Sequence, residues 1–252
     1  MTAESPSYPR RLALGGTYNV RDVGGYLTRD GCITRWRTLF RGDSLHRVDA
    51  LGQQELVELG VKKVIDLREP TEVEDAPNVF AESPLVSYVN VSLVDDPTNA
   101  MPRQPSAPRT LAEAYRAILQ TGAESIATIV SDLAEPNGLP AVIHCTAGKD
   151  RTGLLIALLL SMAGVPNATI AWDYELSATY LVGSYFDEAR QRAARAGIPW
   201  LQYRERLVCP ASLMLDTLAW LGNEHGGARS YLVDAGAAPG LLDALTGRLL
   251  ER

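Results

Sequence analysis

Apolar residues fall into short runs in the first half of the chain and into helical periods in the second. The runs at 61–67, 85–94 and 139–144 are rich in valine, isoleucine and leucine, and each predicts a short buried strand. Residues 17–27 and 35–41 mix strand formers around an Asp30-Gly31 turn and predict a hairpin-like start. Between these runs the pattern predicts helices at 50–59, capped by Asp49 and ended by Gly60, at 111–119 and at 124–133. Residues 152–162 are apolar on every side, as in a helix buried against a sheet. After Gly164 and Pro166 the chain reads as helical at about 168–181, 184–196, 211–222, 228–235 and 239–250. Residues 69–84 and 95–109 are polar and proline-bearing and read as loops, and residues 1–10 as a flexible tail. Strands separated by helices predict an α/β fold: a central, mainly parallel sheet flanked by helices, with a helical C-terminal part. We expect one domain over residues 1–252.

Composition narrows the function classes. The 252 residues are 46% hydrophobic and carry a formal net charge of -6, which argues against a general nucleic-acid binder. The three cysteines, Cys32, Cys145 and Cys209, are too few and too scattered for a disulfide framework. No metal-ligand spacing such as C-x-x-C or H-E-x-x-H occurs. The N-terminal stretch has no apolar signal region, and the apolar run at 154–165 is too short to cross a bilayer, so a cytoplasmic setting without an integral membrane segment is expected. Oligomeric state has no sequence signal.

The chemistry concentrates at 142–153, where a strand runs through His144-Cys145-Thr146-Ala147-Gly148-Lys149-Asp150-Arg151-Thr152-Gly153 into the apolar helix. A tight loop entering a helix N-terminus is an anion cradle, because the first helical N–H groups have no partner within the helix. Cys145 is the candidate nucleophile, its thiolate favoured by the helix end and nearby cations. Arg151 can offer a bidentate fork to phosphate oxygens, and Lys149 a second positive charge. Ala147 and Gly148 keep bulk out of the loop. The loop N–H groups of Thr146 to Arg151 can converge on the anion as a nest, and the Thr152 hydroxyl is placed to donate to the thiolate. His144 is expected to stiffen the strand end. Such a cradle suits in-line displacement at phosphorus with a cysteinyl-phosphate intermediate, and its donors do the work without a metal or other cofactor.

The stretch from His144 to Gly153 resembles the signature loop of the cysteine-dependent tyrosine phosphatase superfamily. Its Lys149-Asp150 pair is similar to the atypical bacterial branch of tyrosine and lipid phosphatases. Asn19-Val20-Arg21-Asp22-Val23-Gly24-Gly25-Tyr26, Phe40-Arg41-Gly42-Asp43, Val64-Ile65-Asp66-Leu67-Arg68 and Tyr231-Leu232-Val233-Asp234-Ala235-Gly236 resemble further motifs of that branch, so the likeness spans nearly the whole chain. It implies the tyrosine phosphatase fold and hydrolysis of phosphotyrosine, with phosphoserine, phosphothreonine and phosphoinositides as further substrates. It also suggests a helical lid, at 172–206 by position. Three places compete for the general acid: Asp150 in the loop, Asp95-Asp96 upstream, and Asp66 at a neighbouring strand end, where the other role is an ion pair with Arg68. Asp150 has a competing role of its own, as a brace for the loop. Arg190, Arg192 and Arg195 read as a solvated helix face or as a contact for membrane or phosphoinositide. The rival functions are a sulfur-transfer or arsenate-reductase cysteine loop and a phosphate-binding module without turnover.

Overall fold

The computed structural model describes residues 8–93 and 110–252; the predicted 95–109 loop, with Asp95 and Asp96, lies outside the described residues. In chain order the elements are β1 (Arg21–Asp22), β2 (Ile33–Thr34), β3 (Leu39–Gly42), α1 (Ala50–Glu58), β4 (Lys63–Asp66), α2 (Pro70–Asp75), β5 (Ser87–Asn90), α3 (Leu111–Thr121), α4 (Ala123–Ala134) and β6 (Ala141–His144). There follow α5 (Asp150–Met162), α6 (Asn167–Tyr180), α7 (Ser184–Arg195), α8 (Trp200–Glu205), α9 (Ala211–His225), α10 (Ala228–Asp234), α11 (Pro239–Leu249) and β7 (Leu250–Glu251).

The main sheet has the order β1-β3-β6-β4-β5. β6 lies at its centre and is parallel to β3 and β4, β5 is parallel to β4, and only β1 is antiparallel. Every side chain of β6 is buried, as expected of a strand covered on both faces. Successive side chains alternate between two cores. Phe40, Val64 and Val142 join Val20, Leu45 and Leu56 on the α1 face. Leu39, Ile65 and Ile143 join the α4 and α5 side chains on the other. This is the α/β architecture that the apolar pattern predicts.

Four details differ from the pattern. The predicted hairpin is real as an antiparallel β1–β3 pair, Arg21 opposite Arg41, but β2 between them leaves the main sheet to pair with β7. The predicted 69–84 loop contains α2. Pro70 opens it, and Glu69 and Glu72 form a reciprocal capping box. The helix α8 follows Pro199 in a stretch that gave no helical period. Arg10, inside the predicted tail, donates to Asp22 O at 2.8 Å and stacks over Tyr26 and Trp36. Among the described residues no helix is long and apolar enough to cross a membrane.

Candidate active site

Parallel strands all point their C-terminal ends one way, so the loop after the central strand β6 lies at the middle of that edge. Residues 145–149 form this loop, and α5 begins at Asp150. Cys145 is buried at its base. Gly148 has φ near +66°, and a Cβ there would collide with the backbone of Gly42, so the loop can press against β3 only with glycine at this position.

The loop carbonyls are tied from behind. Thr146 O accepts the Ser44 N–H at 3.2 Å. Ala147 O and Gly148 O accept Asn19 Nδ2 at 2.9 and 3.2 Å, and Gly148 O also accepts Arg41 Nη2 at 2.7 Å. In a trans peptide the carbonyl and the following N–H point in opposite directions. The N–H groups of Ala147, Gly148 and Lys149 are therefore turned away from these partners, a nest of donors suited to an anion.

The groups that tie the loop are themselves buried and paired. Asn19 accepts Arg21 Nη1 at 2.5 Å and gives its own N–H to Asp43 at 2.8 Å. Arg21 and Arg41 share Asp173 of α6, at 3.1 and 2.6 Å, and Tyr26 donates to the same carboxylate at 2.8 Å. Burial works against the Asp173 charge, yet Arg21 and Arg41 hold it well below the ordinary carboxylate range. Burial likewise pushes Asp43 up, to about 6, against the N–H groups it accepts.

His144 is fully buried, with Nδ1 3.2 Å from Cys145 O and Nε2 2.8 Å from Asn78 Nδ2. An amide NH2 can only donate, so the consistent tautomer carries its proton on Nδ1. Burial lowers the ring's pKa to about 4. This neutral ring braces the strand end, the part expected of it.

Arg151 is held at its outer end. Nη1 and Nη2 donate to the two Glu72 oxygens at 2.6 and 3.1 Å, Nη1 also meets Leu67 O at 3.3 Å, and Nη2 meets Thr146 Oγ1 at 3.3 Å. None of these bonds uses Nε, so the Nε edge is the one left to meet an anion. Burial opposes the charge on Arg151, but Cys145 and Glu72 push its pKa up. Burial also opposes ionisation of Glu72, which the Arg151 hydrogen bonds and charge bring down to about 2. The Thr146 hydroxyl donates to the same carboxylate.

Asp66, one of the expected catalytic residues, is fully buried and committed elsewhere. Arg68 Nε and Nη2 grip it at 2.9 and 2.7 Å, and Tyr88 OH donates at 3.0 Å. Burial would raise its pKa, but the hydrogen bonds and charge of Arg68 bring it below the ordinary value, and a carboxylate held ionised has no proton to give. Its place is indirect: Arg68 Nη1 reaches Glu72 O and Ala76 O at 3.2 and 2.8 Å, fixing the helix that carries Glu72.

Lys149, expected at the substrate, is 1% exposed. Its Nζ donates to Asp150 Oδ1 at 2.8 Å and to Arg206 O and Val208 O at 2.9 and 3.2 Å. It ties the loop to the segment after α8. Thr152 Oγ1 is buried and has no hydrogen-bond partner among the described residues, so the expected donation to the thiol is not made here. Asp150 accepts from Tyr115 OH at 2.5 Å as well as from Lys149.

Tyr185 and Ala189 of α7 pack with Tyr18, Ala147, Trp200 and Tyr203 above the loop. Beside them opens a cleft of about 690 Å³, whose walls include Thr146, Glu72, Arg47, Glu188, Arg192 and Arg195. Arg192 and Arg195 line this cleft, Arg192 half-buried and Arg195 exposed to solvent, whereas Arg190 lies over the Trp200 ring. The cysteines are unpaired; Cys209 is buried and its thiol pushed up to about 11 by that burial, while Cys32 is only half-buried. Among the described residues no group of three or more His, Cys, Asp and Glu side chains converges as a metal-ligand set.

Sequence reasoning missed Asp173, Glu72 and Tyr115. Asn19, Arg21, Arg41 and Asp43 stood inside the singled-out motifs without a role. An arginine inside each of two strand-like motifs, Arg21 and Arg41, was the available signal, since a buried arginine demands a buried acid.

A family model described as "Tyrosine phosphatase family" matches residues 12–251. The chain is 32% identical over 220 residues to a tyrosine-protein phosphatase of Nostoc commune, covering 83% of this chain and 73% of that one. It is 30% identical over 190 residues to the triple specificity protein phosphatase PtpB of Mycobacterium tuberculosis, covering 64% of this chain and 67% of that one.

Proposed function

The chain belongs to the tyrosine phosphatase family, and from that footing we propose that it hydrolyses phosphotyrosine through a cysteinyl-phosphate intermediate on Cys145. The observation that carries this reading is the trio of loop carbonyls tied outward, at Thr146, Ala147 and Gly148, which turns the following N–H groups into a nest above Cys145. Those N–H groups and the Nε edge of Arg151 bind the phosphate oxygens, and the same donors stabilise the charge of the transition state. Cys145 Sγ forms a bond to phosphorus as the bond to the leaving oxygen breaks, and Asp150 gives that oxygen a proton. In the second step water attacks phosphorus, its proton returns to Asp150, and the S–P bond breaks. The Thr152 hydroxyl, with no hydrogen-bond partner among the described residues, is the group we assign to the departing thiolate.

Phosphoserine, phosphothreonine and phosphoinositides are further substrates on this reading. The triple specificity in the name of the mycobacterial relative and the arginines of the cleft support that range. Helices α7 and α8 serve as the lid, since their side chains pack over Ala147. We assign the activity to the cytoplasm, where a thiol nucleophile stays reduced. The test is phosphate release from phosphotyrosine peptides, phosphoserine peptides and phosphoinositide vesicles by wild type and Cys145→Ser. Release by wild type, lost in Cys145→Ser while vanadate or phosphate still binds, is expected. No release from any of the three overturns the reading.

A further inference from the structure

Asp150 sits on the first turn of α5 with an asymmetric set of partners. Both of its hydrogen bonds, from Tyr115 OH at 2.5 Å and Lys149 Nζ at 2.8 Å, fall on Oδ1. Oδ2 has no hydrogen bond among the described residues. Tyr115 is fully buried on α3 and its hydroxyl lies 2.8 Å from Tyr174 OH of α6, also buried. A phenol has one proton. Tyr115 spends its proton on a carboxylate, so Tyr174 must be the donor in the second bond. The chain therefore runs Tyr174 to Tyr115 to Asp150 Oδ1, and its two buried rings meet edge to face with centroids 6.3 Å apart.

We propose that Tyr115, backed by Tyr174, is a positioning residue that fixes the Asp150 carboxyl with Oδ1 turned inward and Oδ2 left as the proton-carrying oxygen. The inference rests on the phosphatase reading and on Asp150 as its acid. An oxygen that already accepts two strong donors is a poor place for a proton, so protonation goes to Oδ2. That proton moves to the leaving oxygen as the phosphorus–oxygen bond breaks. The two phenols remain protonated across the working range, because burial and then the Asp150 charge raise both. The other titratable and charged groups acting on or facing Asp150 are Arg151, Tyr185 and Cys209. They leave the Tyr115 bond as the only neutral donor onto the carboxylate among the described residues. The arrangement resolves the two parts open to Asp150: Oδ1 is the brace and Oδ2 the acid.

The experiment compares Tyr115→Phe with wild type on p-nitrophenyl phosphate, whose leaving group needs no proton, and on an alkyl phosphate, whose leaving group does. Tyr115→Phe is expected to lose about tenfold in kcat/KM, which reads the leaving-group step alone, on the alkyl ester and little on the aryl ester, a part of the range general acids supply. On the alkyl ester the basic limb of its kcat/KM–pH profile moves to higher pH, because a donor that favoured the ionised carboxylate is gone. Inhibition by inorganic phosphate stays unchanged. Tyr174→Phe, which leaves Tyr115 in place, shifts both readouts the same way by less. In an Asp150→Asn background Tyr115→Phe adds nothing. Equal losses on both esters with an unmoved limb, or a full Tyr115→Phe effect in the Asp150→Asn background, overturn the role of Tyr115. A wild type that releases no phosphate from either ester overturns the phosphatase reading itself, and this role with it.

Discussion

The loop at 145–149 has a rear and a front, and the two are built differently. Behind it, Asn19, Arg21, Arg41 and Asp173 are all buried and bonded to one another, the two arginines reaching Asp173 across more than a hundred residues, with Arg41 Nε left unpartnered among the described residues. In front, Glu72 holds Arg151 from a short helix with side chains 30% and 15% exposed. Buried charges are costly unless paired, and removing one partner strands the others. Part-exposed pairs are screened and contribute little to stability. The rear therefore holds the fold of the loop, and the front holds the aim of one side chain. A site of this kind separates stability from turnover along a single loop.

Three substitutions probe that separation. Asp173→Asn strands Arg21 and Arg41 in the core and should lower the unfolding free energy by about 3–5 kcal/mol, read by urea denaturation. Glu72→Ala should cost less than about 1 kcal/mol in the same measurement. Its effect falls on chemistry: with the outer end of Arg151 released, kcat/KM should drop roughly 10- to 100-fold. A Glu72→Ala protein as unstable as Asp173→Asn would erase the distinction between rear and front. The smallest effect is a pH dependence. Asp43 has a folded pKa of about 6, above its ordinary value of 3.8, so the folded state holds the proton more tightly. Its contribution is full below the unfolded pKa and is lost as pH rises through about 6. The stability advantage of wild type over Asp43→Asn should be larger at pH 4 than at pH 7; an advantage that grows with pH would contradict the assignment.

Much of the fold was legible because local pattern and tertiary role agree. The run around Val142-Ile143 is buried on both faces and reads as such, and 152–162 is apolar all round because the sheet and other helices enclose it. The cysteine, the glycine and the arginine of the loop were legible for the same reason: their chemistry is local. The loop's support was not. Asp173 lies in a helix more than a hundred residues from Arg21 and Arg41 in sequence, and nothing near it marks it as their partner. Glu72 was hidden in a stretch whose proline and acidic residues read as loop, although Pro70 there opens a helix rather than breaking one. Lys149 was misplaced because a basic residue in an anion loop suggests a ligand contact, whereas the carbonyls at 206 and 208 claim it.

The central claim is a covalent phosphoenzyme on Cys145. Wild type, Asp150→Asn and Cys145→Ser should be mixed with p-nitrophenyl phosphate, quenched in acid within the first turnovers, digested and weighed by mass spectrometry. The account predicts a phosphoryl group on the peptide containing Cys145 in wild type and, to a greater extent, in Asp150→Asn, with none in Cys145→Ser. Steady release of p-nitrophenol with that peptide unmodified in both, or with the phosphoryl group on another residue, would contradict it.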